Sequence, residues 1–350
     1  MRLGVLRLND SLQRLNPKRT QVHELLREMI DNQLAVFKKL YLKDTLIRHI
    51  IVVDDYISMM LQKRVLGGPA PGYVDRETYG QFMDRADHYT KVQIAEYLGI
   101  SEENSNLLYI SGVITAQVME ICGADMIWAP GVTLCDGIAY EYAERTKLIS
   151  FSHDFEQDII ACAKNISKRY MGSRKRSDTL ESIALTIYDS MKKIHGLGKR
   201  ERLLLQIAAR LHDCGKYISL NNVSECSYHI IMSTEIIGLS HTERVIVANA
   251  VKYNHLEFST YGELSENENI DHAVYLVIAK LTAILRVANG LDRRHKQKFK
   301  NIRAQLKDQE LLLSVDSPAD ITLEKGLFRN RADFFEEVFS VRPVISKKRG

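Results

Sequence analysis

The chain has 350 residues, enough for two domains with a sizeable core, and its 45% hydrophobic and 26% charged content is that of an ordinary globular protein. A formal net charge of +4 is too small to imply a nucleic-acid partner. The five cysteines, at 122, 135, 162, 214 and 226, contain no C-x-x-C pair, which argues against a disulfide framework or a zinc ribbon and for reduced thiols. No apolar run approaches transmembrane length and Met1–Leu8 is not a signal peptide, so a cytoplasmic protein without a membrane partner is expected.

Residues 1–150 alternate strand and helix signals and predict an α/β lobe. Leu3 to Leu8 reads as a strand, and Lys18 to Leu40 as an amphipathic helix. Arg48 to Asp54 is a β-branched run expected to be a buried strand, with Asp54 and Asp55 ending it as solvated or capping acids. Helices are predicted over Arg76–Asp87, Thr90–Leu98, Asn104–Ile121 and Ile138–Arg145, and a strand over Ala124–Pro130 with Trp128 in the core. Gly131 and Gly137 flank a strand–helix turn that is either an anion-binding loop or an ordinary βα turn. Residues 151–298 carry long helical patterns without a convincing strand and predict an all-helical domain. From 299 to 350 a small α+β element is expected. It comprises a hairpin over Gln305–Val315 turned at Lys307–Gln309, a third strand at Ile321–Glu324 and a helix from Arg331 to Phe339.

The string Ala208-Ala209-Arg210-Leu211-His212-Asp213-Cys214-Gly215-Lys216 joins a His-Asp pair to a Gly-Lys at the end of an apolar helix. An imidazole beside a carboxylate can hold a divalent metal, and a nearby lysine can meet a phosphate oxygen. The whole string resembles the core helix of the HD phosphohydrolase superfamily. Leu3–Leu8, Tyr109–Ile114, Ala129–Gly137, Ser227–Ile231 and Leu285–Arg293 follow in the order found in the exopolyphosphatase / guanosine-pentaphosphate phosphohydrolase (Ppx/GppA) family, which the chain resembles over most of its length. The resemblance implies a second actin-like (RNase H-like) lobe followed by a helical HD-like domain. It further implies hydrolysis of phosphoanhydrides in polyphosphate or guanosine pentaphosphate, with Mg2+.

Relative to the family pattern, the chain opens at the strand that follows the glycine-rich phosphate loop. The family's catalytic Glu and phosphate loop are then expected upstream of Met1, so no catalytic residue is assigned and the isolated chain is expected to lack turnover. A homodimer, or the missing N-terminal lobe, is the expected protein partner. His212 and Asp213 are the only members of an HD metal set in place, because Thr179 stands for the first His and Asn289 for the last Asp, with Cys226 and His229 as imperfect supplements. The pair is therefore read first as structural. In that reading Asp213 caps a helix, His212 satisfies a buried carbonyl and Gly215 ends the helix in a left-handed conformation. His255 and His272 are read as boundary histidines.

Basic residues carry the expected binding role: Arg174, Lys175 and Arg176, Lys216, and Arg293, Arg294 and Lys296. Such clusters are either solvated surface or a polyanion groove. Three functions stay open: part of a phosphoanhydride hydrolase, a non-catalytic polyphosphate or alarmone binding module, and a metal-dependent HD nucleotide phosphohydrolase.

Overall fold

Apolar spacing decides the first element. In the computed structural model, which describes residues 3–43, 45–62, 70–150, 153–291, 302–315 and 322–347, Val5–Leu15 is a helix, α1, not the strand expected over Leu3–Leu8. Leu8 and Leu12, four apart, are its buried residues. The alternation of Leu3, Val5 and Leu8 is a fragment of a helical pattern that continues to Leu15.

The chain divides into two compact units, Met1–Phe151 and Ser152–Gly350. In the first, α1 is followed by α2 (Arg19–Phe37, extended by a π turn at Lys38–Leu42), β1 (His49–Ile51), α3 (Asp55–Gln62), β2 (Tyr73–Asp75) and α4 (Arg76–His88). Then come α5 (Lys91–Leu98), α6 (Glu102–Cys122), β3 (Met126–Trp128) and α7 (Leu134–Arg145). The unit is thus mostly helical. Its sheet has the order β1-β3-β2, with β1 parallel and β2 antiparallel to β3, and each strand is three residues long. Helix α6 packs against α1 to α5 through Leu108, Ile110, Val113 and Met119, all buried. Trp128 is only half-buried and stacks on Tyr73 at 5.6 Å, so the core position on β3 falls to Ile127 instead. Asp54 caps α3, accepting from the Ile57 N–H at 2.8 Å.

The second unit begins with α8 (Phe155–Arg169), α9 (Arg174–Ser190), α10 (Lys192–His195) and α11 (Lys199–Leu211). A 3₁₀ turn (Cys214–Tyr217) leads to α12 (Val223–Ser233), α13 (His241–Lys252), α14 (Tyr261–Glu268) and α15 (His272–Leu291). Among the described residues α15 is the one helix long and apolar enough to cross a membrane, contrary to the expectation that no run approached that length. It is buried along 67% of that stretch, under α9, α11, α13, α14 and α16.

The chain closes with β4 (Ile302–Lys307), β5 (Glu310–Val315), α16 (Thr322–Phe339) and β6 (Arg342–Lys347). Asp308 and Gln309, both at positive φ, turn the β4–β5 hairpin. The third strand is β6, not Ile321–Glu324: Thr322 opens a helix, and Ile321 lies outside the described residues. Because β6 runs parallel to β5, the connection must cross over, and α16 makes that crossing. Leu311, Leu313, Phe335 and Ile345 join the same apolar core as α15, so β4, β5, α16 and β6 share the core of the helices.

A cationic pocket at the His-Asp pair as candidate functional site

The site is assembled by two fixed contacts. Buried Arg210 on α11 pairs with Asp178 and Glu181 of α9, which sets the register of the two helices. The turn after α11 is pressed onto the start of α12: a Cβ on Gly215 would lie 2.2 Å from the Val223 carbonyl oxygen and 2.5 Å from the Ser227 nitrogen. Gly215 is thus required by close approach, not by the left-handed conformation expected of it, since its φ is not positive. Its N–H donates to Ser227 Oγ at 2.9 Å.

These contacts leave Asp213 facing Arg176. Arg176 Nη1 donates to Asp213 Oδ2 at 3.2 Å, and Lys216 Nζ donates to the same oxygen at 3.2 Å. Asp213 therefore takes two cations instead of capping a helix, and its other oxygen, Oδ1, is buried without a hydrogen-bond partner. Burial works against its ionisation, but the charges beside it, Lys216 and Arg176 among them, outweigh that and hold the carboxyl below its ordinary value. His212 is fully buried behind it. Its Nδ1–H donates to the Ala209 carbonyl at 2.9 Å, as expected, while Nε2 lies 3.7 Å from Asp213 Oδ2 and has no partner. Burial pushes the His212 pKa down to about 4, so the ring is neutral at pH 7.

Arg176, Asp213 and Lys216 line a cavity of about 390 Å³, together with the 220–224 segment, His255, Leu256, Asn289 and Arg331. Among the described residues the lining carries three cations and one carboxylate. His255, exposed at its surface, lines this hollow; the protein packed around it and Arg331 push its pKa down to about 4. Asn289 Nδ2 stands 3.3 Å from His255 Nε2, and Arg331 Nη1 donates to the Arg286 carbonyl at 3.1 Å.

The pair does not fit a divalent metal. No group of three or more His, Cys, Asp or Glu is placed to hold one among the described residues. The cations of Arg176 and Lys216 already occupy Asp213 Oδ2, where they would repel a metal ion. Half-buried Cys226 and exposed His229 stand on α12 and join no cluster.

The remaining basic residues separate. Arg174, 94% exposed, lines a second hollow of about 680 Å³ with Lys164 and Lys168, while Lys175 is exposed and lines neither. Two positions along a helix turn a side chain by roughly 200°, which is why Arg174 and Arg176 part company. Arg293, Arg294 and Lys296 lie outside the described residues. In the first unit, Asp136 accepts the Thr133 N–H at 2.7 Å, and the Gly137 N–H is bonded to the Thr133 carbonyl inside α7. The chain's own carboxylate thus fills the turn between Gly131 and Gly137.

His255 and Arg331 are members of the pocket that residue patterns do not reveal. Arg331 arrives because α16 packs closely on α15 at Gly290, where a Cβ would meet the Arg331 side chain at 2.9 Å. A glycine in an otherwise continuous apolar helix is the one signal of that approach.

Residues 160–332 match the family model of the Ppx/GppA phosphatase, domain III. A search of curated proteins found no match. Every residue lining the pocket, from Arg176 to Arg331, falls within the matched segment.

Proposed function

The chain belongs to the Ppx/GppA phosphatase family through its domain III, and on that premise we propose that the Arg176–Lys216–Arg331 pocket binds the anionic phosphoryl end of a phosphoanhydride such as inorganic polyphosphate or guanosine pentaphosphate. The observation that carries this reading is the charge of the lining: among the described residues, three cations against one carboxylate in a hollow of about 390 Å³. Arginine and lysine suit such a ligand, because guanidinium offers paired donors and ammonium a compact charge to phosphate oxygens. The second hollow, with Lys164, Lys168 and Arg174, offers further positive charge to a longer chain of phosphates.

The pocket is a binding site and not a hydrolytic one. Activating water requires a carboxylate or imidazole able to take a proton near neutral pH. Asp213 is held ionised in its pairs with Arg176 and Lys216, and His212 and His255 are depressed to about 4, too weakly basic for that work. Mg2+, which the family employs, finds no ligand set in this pocket, and no step is assigned to it here.

Titration of the full chain with medium-length polyphosphate at low and high salt, with phosphate release followed in the same samples, tests this. Binding that weakens with salt and proceeds without release is expected. Arg176→Ala should weaken it about 10- to 100-fold, whereas Lys175→Ala should change it less than about twofold. Equal affinities of the two variants would remove the pocket from the account, and release that depends on His212 or His255 would make it catalytic.

A further inference from the structure

A pocket built only to attract an anion has no use for a carboxylate, yet Asp213 lines this one. Its Oδ2 is neutralised by Arg176 and Lys216, but Oδ1 is buried and has no donor. His212 presents a second unmet acceptor. A carbonyl can only accept, so the ring nitrogen facing Ala209 must carry the proton, which leaves Nε2 as a bare lone pair. An unsatisfied buried acceptor costs free energy until something donates to it, and of these two residues Asp213 is the one that lines the pocket. The donor must also be welcome beside Arg176, Lys216 and Arg331, which excludes a cation and favours an anion that carries a hydroxyl.

We infer that Asp213 is a specificity residue that accepts a hydrogen bond from the P–OH of a protonated phosphoryl group, so that the pocket selects hydrogen-bearing phosphate over anions of equal shape and charge without a proton. This rests on the reading of the pocket as a phosphoryl site. At neutral pH orthophosphate always carries at least one proton, and the end group of a linear phosphate chain carries one in part. Sulfate carries none, nor do the bridging phosphoryls of a cyclic phosphate. Against those anions Asp213 Oδ1 stays an unmet acceptor, and a polar group left unpaired by the wrong ligand is a known way to sharpen discrimination. The depressed pKa of Asp213 agrees with its acting purely as an acceptor.

The test is calorimetric titration of the full chain at pH 7 and fixed ionic strength with orthophosphate, sulfate, linear tripolyphosphate and cyclic trimetaphosphate. Orthophosphate should bind at least about tenfold more tightly than sulfate, and tripolyphosphate more tightly than trimetaphosphate by a similar factor. The tighter of orthophosphate and tripolyphosphate identifies whether the free anion or the chain end is the fitting occupant. In Asp213→Asn, which supplies a donor in place of the acceptor, both ratios should fall to within about twofold. Lys216→Met should weaken all four ligands alike and leave the ratios standing, which separates a general loss of affinity from lost selectivity; thermal melting confirms that both variants fold. Equal binding of phosphate and sulfate by the unaltered chain would overturn the selectivity while leaving the phosphoryl pocket intact. Failure of all four to bind would overturn the pocket itself. Stoichiometric binding of Mg2+ alone, lost in Asp213→Asn, would overturn the inference by assigning the two acceptors to a metal.

Discussion

Each unit of this protein holds a histidine against an aspartate, and the two pairs could hardly differ more in what they leave unfinished. In the first unit, His23 Nδ1 lies 3.0 Å from Asp87 Oδ1 and 3.0 Å from Tyr109 Oη, and the Tyr109 hydroxyl also donates to Asp87. Three helices, α2, α4 and α6, are stitched together by a cluster whose members answer one another. In the second unit, His212 and Asp213 are consecutive, largely buried, and each keeps an acceptor without a partner beside a cationic hollow. The same residue types serve cohesion where the donors are internal; the proposed phosphoryl ligand would supply from outside the donor that Asp213 lacks. Sequence adjacency makes the second pair conspicuous; its unmatched atoms are what set it apart from the first.

The comparison can be broken most severely at Gly215. Gly215→Ala forces a methyl group against the Val223 carbonyl oxygen at 2.2 Å, where backbone must move. A loss of at least about 3 kcal/mol is expected in urea denaturation, confined to the second unit. A cost near that of an ordinary surface substitution would show that the turn is not clamped, and the orphaned acceptors of Asp213 and His212 would lose their structural meaning.

Acid should separate the units next. His212 has its pKa pushed from 6.5 in the unfolded chain to about 4 in the fold. Between those values the unfolded state binds the extra proton, so unfolding becomes easier as pH falls. The stabilisation is fully present above pH 6.5 and gone near pH 4, with His212 contributing about 3 kcal/mol of the change. Denaturation curves at pH 7, 5.5 and 4.5 check this, and His212→Asn should flatten the dependence. The smallest expected effect lies in the first unit. Tyr109→Phe removes one donor but leaves Asp87 its contact with His23, so about 1 kcal/mol should be lost. A loss matching that of Gly215→Ala would show that the first cluster is equally tightly committed.

Periodicity carried the long helices and failed on short pieces. The patterns behind α9 and α11 repeat over several turns, and Ile183, Ile187, Leu204 and Ile207 at that spacing are buried, while Ile194, further along, is exposed; α15 shows instead as a nearly continuous apolar run. Strands of three residues hold no repeat to count, so β2 was invisible, and a window ending at Leu8 turned the first turn of α1 into a strand. The candidate site was legible in the contiguous Arg210 to Lys216 and in Arg176 and Asn289, but not in Arg331.

The sequence by itself thus determined the helical second unit, the hairpin at Asp308–Gln309 and the family, because each is a local pattern or an identity at a position. Only the tertiary structure decided what stands around Asp213. It turned Arg176 toward Asp213 and Arg174 away, delivered His255 and Arg331 from distant helices, and left two acceptors waiting for a donor. Direction around a helix and contact across a core depend on packing between elements, and neither is encoded in the composition of a cluster.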